Sequence, residues 1–157
     1  MKAASISDIK QELTNVSPEK LLDLCLRLAK YKKDNKELLN YLLFEENDVQ
    51  AYIHNVKAEM EEGFAAINQS NLYFAKKSLR KILRITAKHI RYTSSKQAEV
   101  ELLLHFCHSL KHSGIPIKTS AVLNNLYQHQ FKKIGSIIAT LHEDLQYDYI
   151  KEMNKLE

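Results

Sequence analysis

Apolar residues recur along this chain at three- and four-residue spacing almost from end to end, and that period predicts helices. Ile6, Ile9, Leu13 and Val16 mark a short amphipathic first helix. Ser17-Pro18-Glu19-Lys20 supplies an N-cap and then a proline at the first helical position, where its missing N–H leaves no bond unmade. The second helix that follows turns Leu21, Leu22, Leu24, Cys25, Leu28 and Ala29 inward. Tyr31-Lys32-Lys33 sets cations at its negative end, and Asp34 or Asn35 caps a third helix through Leu38, Leu39, Leu42, Leu43 and Phe44. Asp48 caps a fourth, with Val49, Tyr52, Ile53, Val56, Met60, Phe64 and Ile67 inward. Gly63 interrupts it, and since glycine costs up to about 1 kcal/mol relative to alanine in a helix, its presence implies a close neighbour or a bend.

Asn71 caps a fifth helix running to about Tyr92, and the short loop before it makes the fourth and fifth helices antiparallel neighbours. After Thr93-Ser94-Ser95 a sixth helix extends from Lys96 to about Ser113, closed by Gly114 with Pro116 beyond. Ile115 to Lys118 reads as extended, and Thr119 or Ser120 caps the next helix through Val122, Leu123, Leu126 and Tyr127. The pattern resumes at Phe131 and runs through Ile134, Ile138, Leu145 and Met153, so residues 120–155 form one long helix or two joined near 130–135. Two is the preferred reading, because roughly 35 uninterrupted helical residues are uncommon in a compact domain. With only 3 Gly and 2 Pro in 157 residues there are few sites for hairpin turns. The expectation is an all-α fold, a single domain over 1–157 of about seven to eight mostly antiparallel helices, arranged as an irregular α-solenoid or a helical bundle. Regular spacing of the later helix starts suits the solenoid, although no tetratricopeptide, ankyrin or armadillo repeat is present.

Cys25 and Cys107 lie inside apolar helical patterns and read as buried thiols of a reducing compartment. No apolar run approaches the roughly 18 to 20 residues of a membrane span, and the first residues show no signal-peptide core, so a cytoplasmic location with no membrane partner is expected. The stretch Ser-Pro-Glu-Lys-Leu-Leu-Asp-Leu-Cys-Leu-Arg-Leu from Ser17, followed by Lys36-Glu37-Leu38-Leu39-Asn40-Tyr41-Leu42, resembles small bacterial all-helical proteins of unknown function that begin with a similar helix pair. The resemblance covers about the first third of the chain. It implies a bacterial, cytoplasmic origin and brings no activity or site residues.

Charge changes the picture most. Between Gly63 and Ala98 there is no Asp or Glu, while Lys76, Lys77, Arg80, Lys81, Arg84, Lys88, Arg91 and Lys96 give a local charge of +8; the whole chain carries +4, so the remainder carries −4. At about 100° per residue, Leu72, Ala75, Leu79, Ile82, Leu83, Thr86 and Ile90 share one face of the fifth helix, and Phe74, Ile85 and Tyr92 make a second apolar strip. Lys77, Arg80, Lys81, Arg84, Lys88 and Arg91 line the remaining arc, with Tyr73 among them. Like charges at this spacing repel by a few tenths of a kcal/mol per pair, so helix stability does not explain the arrangement. Three partners are open. Glu45, Glu46, Glu59, Glu61 and Glu62 can neutralise the face internally; otherwise it awaits an acidic protein segment or the backbone of a nucleic acid.

A second constellation is Glu101, His105, His108 and His112, four, three and four residues apart on one stripe of the sixth helix. Histidines at i and i+4 with a nearby carboxylate suit a divalent transition metal, so a helical metal-binding protein or metalloenzyme centred there is the alternative; the plain reading is a polar outer stripe. No catalytic motif accompanies either feature: the chain has no Gly-rich phosphate loop, nucleophile elbow or Cys-x-x-Cys, and Cys107 and His108, being adjacent on a helix, point about 100° apart. The chain therefore reads as a cytoplasmic binding or scaffolding module with a basic helical face, without a resident cofactor unless the histidine stripe holds a metal.

Overall fold

The computed structural model describes every residue, Met1–Glu157, and is all-α. Its helices are α1 (Ile6–Thr14), α2 (Pro18–Tyr31), α3 (Lys33–Asn40), α4 (Val49–Ala65), α5 (Leu72–Thr93), α6 (Lys96–His112), α7 (Ala121–Ile138) and α8 (Glu143–Asn154). The chain gathers into two compact units, Met1–Phe44 and Glu45–Glu157. No helix is long and apolar enough to cross a membrane.

In the first unit, Ser5 and Asp8 form a reciprocal capping box on α1, and the Ser17 hydroxyl accepts the Lys20 N–H at 3.2 Å to open α2. α3 starts one residue before the proposed caps: Lys32 holds the N-cap position with no side-chain bond, and Asn35 instead donates from Nδ2 to the Leu28 carbonyl at 2.8 Å, tying α3 back to α2. α3 also stops at Asn40 rather than Phe44; the backbone continues as a π-helical turn, Tyr41–Glu45, and a 3₁₀ turn, Glu46–Asp48. The inward sets assigned to α1 and α2 are not buried, with Leu22 and Leu28 each 60% exposed and Cys25 on the surface. About 40 residues is near the lower limit for enclosing a core unaided, so amphipathic helices here keep their stripe without gaining an interior.

The second unit is built around α6, which is packed by α4, α5, α7 and α8. The principal contacts all join helices one or two apart in the chain, α6 touching the two before it and the two after it, an order that an irregular solenoid and a bundle share. The reason α6 meets four helices lies in its sequence: Val100, Leu102, Leu103, Leu104, Phe106, Cys107 and Leu110 are apolar almost all the way round, and all are buried. Met60, Leu79, Ile82, Leu123, Ile134 and Ile138 close over it from the neighbouring helices. α4 and α5 approach closely at Gly63, where a Cβ would meet Ile82 Cγ1 at 3.1 Å.

Cap residues fix the helix ends. Ser94 adopts φ +49° after α5, Ser95 accepts the Ala98 N–H to start α6, and Gly114 at φ +80° ends it as the sequence indicates. Ile117 to Thr119 forms a turn and not an extended strand, closed by the Thr119 hydroxyl donating to the Pro116 carbonyl, and Ser120 caps α7. Residues 120–155 are two helices, but the break falls at 139–142 and α7 runs straight through 130–135. No Gly or Pro marks that break. It is made by side chains: the Thr140 hydroxyl donates to the Ile137 carbonyl at 2.7 Å, Gln146 donates to the Leu141 carbonyl at 2.8 Å, and His142 caps α8.

Candidate anion-binding face

α5 is held in rotation by its buried side. Ala75, Leu79, Ile82, Thr86 and Tyr92 pack inward, so the arc opposite must face out, and Lys77, Arg80, Lys81, Arg84 and Arg91 are all exposed there. The Asn71 side chain accepts the Tyr73 N–H at 2.8 Å and fixes the start of the helix. From Lys77 to Arg91 the cationic row covers about 21 Å at about 1.5 Å per residue.

The acids of α4 do not cover this row. Glu59 Oε2 lies 3.3 Å from His89 Nε2, and Glu61 Oε1 lies 2.7 Å from His105 Nε2 while also accepting a hydrogen bond from the Ser109 hydroxyl. Farther round, Glu99 pairs with Lys133 at 3.0 Å and Glu101 with Lys57 at 3.6 Å. Glu62 and Lys81 border the same cleft of about 420 Å³ between α4 and α5 without forming an ion pair. None of Lys77, Arg80, Lys81, Arg84 and Arg91 is in an ion pair; Lys88, half-buried, is engaged in an interaction of its own. Two of the glutamates that the sequence offered as neutralising partners thus serve histidines instead.

Beside the row, Tyr73, Lys76, Lys77, Ser78, Arg80, Lys81 and Arg84 line a groove of about 560 Å³. Tyr73 is 66% exposed, and the Phe74 ring meets it edge to face with centroids 5.5 Å apart. Helical spacing puts Phe74 in the second apolar strip with Ile85 and Tyr92; Tyr92 is buried, but Phe74 is itself 48% exposed.

The histidine stripe occupies the more open side of α6, along a cleft of about 690 Å³ shared with Lys57, Tyr149, Glu152 and Lys155. Its members are brought to different partners. Glu101 accepts from the Tyr149 hydroxyl at 2.9 Å, His105 meets Glu61, and His112 Nδ1 lies 2.8 Å from the His108 carbonyl with the two imidazole rings 4.2 Å apart. No three His, Cys, Asp or Glu side chains come together as metal ligands. Burial pulls the His105 pKa down more than the Glu61 carboxylate raises it, with Lys57 adding to the lowering, and burial together with the bond to Glu101 pushes Tyr149 up to about 12. Cys107 is enclosed and pushed up to about 12 by burial, so it stays a thiol and is no nucleophile.

Two polar networks had no signature in the sequence: Glu61 with His105 and Ser109, and Glu59 with His89, whose Nδ1 lies 2.6 Å from the Tyr52 hydroxyl. Their members sit on different helices, and helical periodicity carries no information about pairing across helices. Compared with protein-family models, with curated proteins and with solved structures, the chain matches none.

Proposed function

We propose that this protein is a binding module that grips the phosphodiester backbone of a nucleic acid through the outer face of α5. The observation that carries the reading is the row Lys77, Arg80, Lys81, Arg84 and Arg91, exposed together and left without ion pairs while the neighbouring glutamates turn to histidines. No ion pair within the molecule offsets the mutual repulsion along the row, and an external polyanion relieves it. Three of the five are arginines, whose planar guanidinium engages a phosphate through two parallel hydrogen bonds. An aromatic ring standing among the cations favours nucleic acid over an acidic protein segment, since a base offers a π-face and a carboxylate does not.

Fluorescence anisotropy with a labelled 20-base-pair duplex tests this. Binding is expected at about 50 mM salt, indifferent to base sequence, and largely lost by about 200 mM. Unlabelled poly-glutamate of matched charge is expected to compete poorly. Displacement by poly-glutamate as effective as that by DNA would transfer the face to an acidic protein partner, and no binding of either a duplex or a single strand at the lower salt would end the proposal.

A further inference from the structure

We infer that the ligand of the α5 face is a single-stranded polynucleotide, with Tyr73 stacking an unpaired base while the cations hold the backbone. This rests on the reading of α5 as a phosphodiester-binding face and adds the state of the nucleic acid. Tyr73 lies within the cationic arc, one turn before Lys77 and so at the N-terminal end of the row: counted from Leu72 at about 100° per residue, it falls near 100°, with Arg80 and Arg84 within about 20° on either side. The residue is 66% exposed and borders the same groove as Lys76, Lys77, Arg80, Lys81 and Arg84. Phe74 braces the ring edge to face, with planes inclined at 72°, which orients the ring and leaves it open to the groove.

The ring makes no contribution to the core, and its hydroxyl has no hydrogen-bond partner. An exposed aromatic ring beside a row of backbone-binding cations is the combination that single strands use, because their bases are free to leave the stack. A duplex presents phosphates to the same cations but keeps its base faces inside, so the tyrosine adds nothing to duplex affinity. The two ligand forms therefore separate the two parts of the site: cations serve both, and Tyr73 serves one.

The test is anisotropy with a 20-nucleotide oligo-dT and a 20-base-pair duplex at equal salt. Wild type is expected to prefer the single strand by roughly 5- to 150-fold, the gain of stacking one base. Tyr73→Leu, which keeps apolar bulk without a π-face, is expected to lose that preference and leave duplex affinity and the salt slope unchanged, whereas Tyr73→Phe retains it. Helix content and melting temperature of both variants are expected to match wild type, since it is the backbone N–H of residue 73, not its side chain, that donates to the Asn71 cap. Duplex binding as tight as single-strand binding, or Tyr73→Leu binding oligo-dT as wild type does, would overturn the inference while leaving the backbone-binding proposal standing. Absence of binding to both ligands would remove the two together.

Discussion

His105 shows how a single residue is set by its surroundings. It sits half-buried on α6, facing Glu61 and Lys57 of α4 and followed one turn later by His108, and burial holds its pKa below the ordinary 6.5 despite the carboxylate. A depressed folded-state value means that the unfolded chain binds more protons as pH falls, so stability is full above about 6.5 and declines as pH descends through that value toward the lower folded one. Thermal melts at pH 7.5 and pH 5 are expected to show a larger drop for wild type than for His105→Gln; equal drops would mean that His105 does not couple folding to protons. Single-residue features were unevenly legible in the sequence. Ser17, Asp48, Asn71 and Ser120 cap the helices they were expected to cap, because capping is decided within three residues of the cap itself. The Glu61 to His105 contact was not legible, because its partners are far apart in the chain and meet only once α4 lies on α6.

At the scale of elements, the 3.6-residue period located the helices well and misjudged what some of them bury. α2 and α5 show the same amphipathic pattern, yet Leu79 on α5 is fully enclosed while Leu22 on α2 is 60% exposed. Periodicity reports that a helix has an apolar side and says nothing of whether a partner is present to cover it. The consequence is measurable by urea denaturation: Leu79→Ala is expected to cost about 2 to 5 kcal/mol through lost contacts and a residual cavity, and Leu22→Ala under about 1 kcal/mol. Comparable losses would show that α2 is buried in solution. The break between α7 and α8 was misplaced for a related reason. Its stop signals are the side chains of Thr140, His142 and Gln146 bonding to backbone, whereas the expected junction near 130–135 had only a glycine, and Gly135 lies inside a continuous helix.

For the molecule as a whole, segregation of charge was plain in the sequence, as a window without a single acid in a chain of net +4. Whether that charge was already neutralised was not, because the answer depends on which way the acids of α4 turn: Glu59 meets His89 and Glu61 meets His105. The structure leaves Lys77, Arg80, Lys81, Arg84 and Arg91 without ion pairs, and the proposed function stands on that row. The most direct measurement is the slope of log affinity against log salt on duplex DNA, for wild type and for the triple variant Arg80→Gln, Arg84→Gln, Arg91→Gln. With about 0.9 unit for each phosphate contact, five cations give a wild-type slope near −4 to −5, and removing three flattens it by about two to three units. All three positions are exposed, so the variant is expected to keep the helix content and melting temperature of wild type. A slope for the triple variant equal to that of wild type would contradict the assignment of this face to the phosphate backbone.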